Sequence, residues 1–245
     1  MMFSNWYLTV YPMLISKLTI EWGFWKDSKA EFLQGNRRPL IFKVFLITWV
    51  FYGILYFSIN RFNASRDYQY FFPEISFDSH IPFIWWMIFP YVTYYFFFLF
   101  PFFVEQTEEQ LSRSIRFTQI TIFPTMLAFL IFLIIPVEVD LRDQIITQNR
   151  AAEVSMNLLH GVDTAWNGWP SLHILHSTFI TIFFLKNFPD HKKARIYVFM
   201  LYVGLALSTL FTKQHYLLDF IAGLGIAYLP WILIAKKALF SSETI

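Results

Sequence analysis

The amino-acid sequence predicts an all-α integral membrane bundle of about six transmembrane helices with an N-terminal interfacial helix, on three observations. Of its 245 residues, 56% are hydrophobic, 22% aromatic and only 15% charged, where water-soluble domains carry about a quarter of their residues as charges. The apolar residues gather into stretches near the roughly 20 residues that cross a bilayer core. Ahead of the first stretch, Phe3, Trp6, Tyr7, Val10, Leu14 and Leu18 recur at helical spacing, while Ser4, Asn5, Thr9 and Lys17 fall elsewhere around the helix.

Residues 1–38 are therefore expected to form an interfacial and cytoplasmic segment. A cleaved leader is not expected, because no basic stretch precedes the apolar run and no small-residue cleavage site follows it. The first span is predicted from about Leu40 to Ile59 and the second from Ile81 to Val104, both rich in Phe, Trp and Tyr. A third runs from about Phe117 to Ile135, a fourth from Ser171 to Phe188, a fifth from Ile196 to Phe211 and a sixth from Asp219 to Ala235. Pro90 and Pro101 in the second span and Pro124 in the third each remove a backbone donor, so kinks are expected there. The longest polar stretch, Glu138 to Gly168, joins the third and fourth spans; helix-compatible from Leu141 to Leu159, it is expected to cap or edge a site. No internal repeat or Gly/Ser-rich linker divides residues 39–245, which read as one membrane domain.

Six spans place both termini on one side of the bilayer. That side holds Lys17, Lys26, Lys29, Arg37, Arg38, Arg113, Arg116, Lys186, Lys192, Lys193, Arg195, Lys236 and Lys237. The other holds Arg61, Arg66, Arg142, Arg150 and Lys213; with Lys43 inside the first span, these thirteen and five complete the 19 basic residues. The positive-inside rule makes the thirteen-residue side cytoplasmic. A bacterial inner membrane with a periplasmic site is the expected setting. The absence of Cys excludes disulfides, thiol nucleophiles, zinc-thiolate sites and iron–sulfur clusters. A formal net charge of +2 is too balanced for the counterion-release binding of nucleic-acid proteins.

Ionisable residues are costly near a bilayer core, and three stand out at the extracytoplasmic ends of the predicted spans. His173 follows Asn167-Gly168-Trp169-Pro170-Ser171-Leu172, and Pro170 suits the first turn of a helix, where its missing donor would be unpaired anyway. The opened helix end offers unpaired backbone donors to an anion, and Ser171 adds a hydroxyl. In Lys213-Gln214-His215-Tyr216-Leu217-Leu218-Asp219, His215 and Asp219 are four apart. On one helix that spacing stacks them, so the carboxylate takes one ring nitrogen and leaves the other free as nucleophile or base. Lys213 puts a fixed positive charge beside them. Because the fourth span begins where the fifth ends, both histidines reach one depth and can face one substrate. Attack on phosphorus by one and proton donation by the other, with basic groups on the equatorial oxygens, is the chemistry such a pair supports. It needs neither metal nor cofactor.

Bland readings stand beside these. Asp219 could be an ordinary N-cap, Lys213 an interfacial anchor and Arg142 a loop charge; Arg150, His160 and Asp163 carry weaker signals. His176, one turn beyond His173, reads as buried and paired, and Tyr94-Tyr95-Phe96-Phe97-Phe98 as packing and lipid-facing surface.

From Asp78 to Gly225 the chain resembles the type 2 phosphatidic acid phosphatase superfamily of membrane lipid phosphatases and phosphotransferases. Pro170-Ser171-Leu172-His173 looks like that family's second motif in the variant of the inositol phosphorylceramide synthase branch, and His215 to Asp219 matches the end of its third. Asp78-Ser79-His80-Ile81-Pro82-Phe83, Asp163, Asn167 and Thr212-Lys213-Gln214-His215-Tyr216 add to the likeness. The resemblance implies that His215 forms a phosphohistidine, Asp219 orients it, His173 protonates the leaving group and Ser171 holds phosphoryl oxygens. There are departures. Thr209 follows Ser208 where the third motif has Arg, which leaves Lys213 as the substitute. The first motif is absent from the extracytoplasmic side: Arg37-Arg38-Pro39 lies on the other side, and Arg142 is the positional candidate.

The expected activity is cleavage of a phosphomonoester or diphosphate from a lipid at the outer face. The alternative is transfer of the phosphoryl or phospho-headgroup unit to a lipid acceptor, and a third reading is a catalytically silent lipid-binding scaffold. The expected partners are a membrane lipid phosphate and the bilayer, without nucleic acid.

Overall fold

The computed structural model describes residues 16–17, 19–66, 71–147, 149–163 and 165–240. The predicted interfacial helix over residues 3–18 lies almost wholly outside them. Among the described residues the chain is helical, and the only β feature is one antiparallel bridge, Glu138 to Trp166. The elements are α1 (Lys26–Leu33), α2 (Arg38–Arg66), α3 (Trp85–Phe102), α4 (Glu108–Ile134), α5 (Arg150–Val162), α6 (Leu172–Asn187), α7 (Lys192–Phe211) and α8 (Leu217–Phe240). Five of these, α2, α3, α4, α7 and α8, are long and apolar enough to cross a membrane.

The fourth predicted span is α6, and it differs in kind. Its 16 residues rise about 24 Å, short of a roughly 30 Å hydrocarbon core. Nearly all of them are buried, including His173, His176, Ser177, Thr178 and Thr181. The bundle is wrapped around this helix: Phe117 of α4 stacks on Phe183 at 4.1 Å, and Trp231 of α8 meets Phe179 edge-on. In lipid, such helices associate by close packing and hydrogen bonds, because the solvent is as apolar as their side chains. Gly223 shows how close. A Cβ there would lie 2.7 Å from the Ser171 carbonyl oxygen and 2.9 Å from Ile174 Cβ, so α8 rests on the first turn of α6 through bare backbone.

The expected kinks at the prolines coincide with changes of helix type. Thr93–Phe102, with Pro101 inside, winds as a 3₁₀-helix after the α-helical turn Ile88–Val92. α4 is interrupted at Thr121, three residues before Pro124. α2 and α8 each pass through a π-helical turn, Leu46–Phe51 and Trp231–Ala235.

The two ends of the bundle are unlike. At one, a capping box pairs Thr107 with Gln110, whose Nε2 donates to the Asn187 carbonyl and ties α4 to α6. Arg37 donates to the Phe102 and Phe103 carbonyls, and Arg113 and Lys186 lie over the Phe240 ring. The other end carries the polar stretch. It folds as a 3₁₀ turn at Arg142–Gln144, then α5 with Asn149 as its N-cap, and returns through the bridge at Trp166. Asn60 and Asn63 of α2 hold it down, donating to the Trp166 carbonyl at 2.7 Å and to Asn167 Oδ1 at 2.9 Å.

Candidate active site

Two helix starts and one loop build the site. Ser171 is the N-cap of α6, its hydroxyl accepting from the Ile174 amide, and its own amide donates to the Asp219 carbonyl at 3.1 Å. That bond and the Gly223 contact clamp the first turns of α6 and α8 together. His173 and His215, 42 positions apart, meet as a result: His215 Nε2 lies 3.4 Å from His173 Nδ1.

The loop between α7 and α8 departs from the expected geometry. His215 and Asp219 were expected on one helix, but α8 begins at Leu217 and His215 stands two residues ahead of it. The chain reverses through Lys213, whose φ of 58° is left-handed, and the Gln214 and His215 amides both donate to the Thr209 carbonyl. Such backbone costs about 1–2 kcal/mol for a residue with a Cβ, and Lys213 is held there by two bonds, from its Nζ to the Asp78 carbonyl at 2.8 Å and to Gln144 Oε1 at 2.7 Å. Asp219, at the third position of α8, accepts from the Tyr216 amide at 2.8 Å and, through the same Oδ2, from His215 Nδ1 at 3.3 Å. Asp219 is thus not the N-cap, which is Tyr216, but one carboxylate both ties back the N-cap amide and orients His215. An ionised carboxylate only accepts, so Nδ1 of His215 carries the proton and Nε2 carries the lone pair.

Two hollows meet at His215. A small polar recess is lined by Arg142, Lys213, Gln214, Asn167, Gly168 and His215. A large apolar cavity of about 660 Å³ opens between α2 and α3, with Trp49, Phe57, Phe89 and Leu158 on its walls and both histidines at its end. Arg142 donates from Nη2 to the Asp163 carbonyl at 2.8 Å. Burial lowers the affinity of Arg142 for its proton, opposed by Asp163 and Glu138, and burial does the same to Lys213, opposed by Asp78 and Glu74. Of the residues expected to bind phosphate, Arg142 and Lys213 reach the recess beside His215. Ser171 lines neither hollow and is occupied as a cap.

The structure adds residues that motif spacing does not show. His173 is held between the rings of Tyr91 and Tyr94, with centroids 4.4 Å and 4.2 Å away. The Tyr94 hydroxyl is paired with His176 Nδ1 at 2.8 Å, and His176 Nε2 with the Thr125 hydroxyl at 2.8 Å. Tyr94 thus belongs to the site, and the aromatic run is not all lipid-facing surface: Phe97 is fully buried while Phe96 is 56% exposed. Asp163, at the C-cap of α5, lines both hollows and accepts from the Tyr56 hydroxyl at 2.6 Å and, more weakly, from Tyr91 at 3.5 Å. Burial raises its proton affinity, opposed first by the Tyr56 bond and then by His215 and Arg142. The signal for Asp163 was its place seven residues before Pro170; nothing in the sequence tied it to Tyr56, 107 positions away.

Two buried polar atoms here have no protein partner: His173 Nε2 and Asp219 Oδ1. The first lies on a side chain that lines the apolar cavity, and a buried unpaired nitrogen is a costly feature for a folded protein to keep without a ligand. A nucleophile oriented by a carboxylate, a second imidazole beside it, cationic groups on one side and an apolar chamber on the other can act on a phosphorus centre attached to an apolar group. Comparisons with protein-family models, curated proteins and solved structures found no match to the chain.

Proposed function

We propose that the chain is a six-span membrane enzyme of the type 2 phosphatidic acid phosphatase kind, which removes phosphate from a lipid phosphomonoester or diphosphate at the extracytoplasmic face. The observation that carries this reading is the Asp219–His215–His173 chain placed where the polar recess joins the apolar cavity. In this reading α6 is the sixth span, shielded by the other five, and the basic end faces the cytoplasm.

The steps follow from the proton positions. The His215 Nε2 lone pair attacks phosphorus, and the bond from phosphorus to the ester oxygen breaks. His173, entering the step as an imidazolium, gives one proton to that oxygen and becomes neutral. Water then attacks the phosphohistidine and hands a proton to His173, and the P–N pair returns to Nε2. Arg142 and Lys213 offset charge on the phosphoryl oxygens in the recess. The 3.4 Å contact between the histidines gives way as phosphorus enters. Transfer to a lipid alcohol in place of water is the second reading, favoured by the apolar cavity, which brings an acceptor chain to the nucleophile more readily than bulk water.

The test is inorganic phosphate release by detergent-solubilised protein from phosphatidic acid, phosphatidylglycerol phosphate, polyprenyl diphosphate and lipid A, without added metal. Release by the unaltered protein and its loss in His215→Ala is the expected result. No release from any of the four would overturn the phosphatase reading, and movement of labelled phosphate to an added lipid alcohol would then support transfer.

A further inference from the structure

The apolar cavity contains few polar atoms with bonding capacity to spare. Tyr52 and Tyr94 give their hydroxyls to Thr121 and His176, and Trp49 gives its indole N–H to the Tyr95 carbonyl. His176 is bonded through both nitrogens, and the Asn167 amide is shared between Asn63 and the Tyr56 carbonyl. Besides the hydroxyls of Ser155 and Tyr95, two titratable groups stand apart. His173 Nε2 has no partner although the residue is only 7% exposed. The Asp163 carboxylate offers about four acceptor directions, of which the Tyr56 and Tyr91 hydroxyls engage two.

Tyr91 joins them. Its ring lies on His173 while its hydroxyl points to Asp163 Oδ2, so one phenol spans the gap between the imidazole and the carboxylate. A ligand whose ester oxygen lies at His173 Nε2 therefore brings the atoms a few bonds further along to Asp163. At that point the wall presents an acceptor, and only a donor on the ligand matches it. A buried acceptor facing an ether or ester oxygen is left unpaired and repelled, which is how a site built for a hydroxyl rejects analogues without one.

We infer that Asp163 is a specificity-determining residue that reads a free hydroxyl or amino donor on the lipid part of the substrate, close to the phosphoester. Lipid phosphates with such a donor are favoured over fully substituted ones. The inference rests on the proposed lipid phosphate chemistry of this site, and it deepens that reading by naming the feature that the apolar side selects. Tyr56 and Tyr91 are positioning residues in it: their hydroxyls fix the carboxylate so that its remaining lone pairs face the cavity.

The experiment uses one matched pair of ligands, 1-oleoyl-lysophosphatidic acid with its free 2-hydroxyl and the 2-O-methyl ether of the same lipid. Binding is followed by tryptophan fluorescence, Trp49 being in the cavity wall, on full-length His215→Ala protein, so that turnover does not intrude. The free hydroxyl is expected to bind at least tenfold tighter than the ether. Adding Asp163→Asn, which keeps the shape and removes the charge, is expected to bring the ratio below about threefold by weakening the hydroxyl lipid alone. Equal binding of the two lipids by His215→Ala protein overturns the inference without any second variant, and so does a ratio that survives Asp163→Asn. Binding of neither lipid counts against the cavity as a lipid site and removes the basis for the role of Asp163. Selective binding by a protein that releases no phosphate sinks the phosphatase reading and leaves the selection standing. Phosphate release without selectivity does the reverse.

Discussion

His173 and His176 lie one turn apart on the same buried helix, and their surroundings are opposites. The region around His176 is closed: both ring nitrogens are bonded, to Tyr94 and Thr125, and the ring stacks with Tyr52. The region around His173 is open: one nitrogen faces His215 and the other has no partner. Burial is almost the same, at 2% and 7% exposure, so burial does not distinguish the two histidines. The count of satisfied nitrogens does. A histidine with both nitrogens bonded can neither take up nor deliver a proton without breaking the fold around it, whereas an unpaired nitrogen is held ready at a cost in stability.

The comparison breaks most visibly at His173. His173→Gln is expected to lower the rate of phosphate release by about 10²–10⁴-fold with little change in thermal stability, since in the proposed mechanism the residue donates a proton, and it satisfies no buried partner through Nε2. A rate within threefold of the parent would remove it from the chemistry. Gly223→Val attacks the clamp that brings the two histidines together. A Cβ 2.7 Å from a carbonyl oxygen has no flexible neighbour to move, so a cost of about 3 kcal/mol is expected, with loss of activity from parting α6 and α8. Unchanged unfolding in a thermal scan would show that α8 has room to shift.

His176→Leu reverses the pattern predicted for His173. It strands the Tyr94 hydroxyl, while Thr125 keeps its bond to the Thr121 carbonyl, for about 2 kcal/mol of destabilisation, and it changes phosphate release far less than the His173 variant does. A rate loss matching His173→Gln would abolish the distinction drawn here.

The smallest effect concerns a third histidine. His160 on α5 pairs its Nε2 with Gln214 Nε2, next to His215, and burial, aided by Arg142, brings its pKa down to about 4 from an ordinary 6.5. The unfolded chain binds the extra proton first. Stability from this group is therefore complete above pH 6.5 and declines as the pH falls from 6.5 to about 4. Replacing His160 with Gln should flatten that part of the stability–pH curve, and an unaltered slope would exclude His160 as its source.

What was legible in the sequence was what local chemistry repeats. Apolar runs gave the apolar part of each long helix, as with Leu40 to Ile59 inside α2 and Ile196 to Phe211 inside α7, but not the polar turns that extend α2 to Arg66 and start α4 at Glu108. Pro170 and Ser171 marked where α6 starts, but Pro170 precedes the N-cap instead of lying in the first turn, and Ser171, expected to meet an anion, is the cap. The spacing of His215 and Asp219 was read as one helical turn. The pair does form, across a helix start, because a carboxylate at the third position reaches back to whatever precedes the helix. Asp163 and the tyrosines around His173 were not legible as a group. Tyr56, Tyr91, Asp163 and His173 converge from α2, α3, α5 and α6, and no periodicity along a chain encodes a meeting of four separate elements.

The position of α6 also has a bearing on how the protein is made. A 24 Å helix with two histidines, hydroxyl-bearing Ser177, Thr178 and Thr181, and its charged Lys186 near the end partitions poorly into lipid by itself. Several of its polar atoms find partners on Tyr94 and Thr125, made earlier, and on Tyr202 and His215, made later. In the proposed six-span arrangement α6 therefore settles only once α7 and α8 have been made, and a chain cut after residue 190 would leave its central helix without those partners.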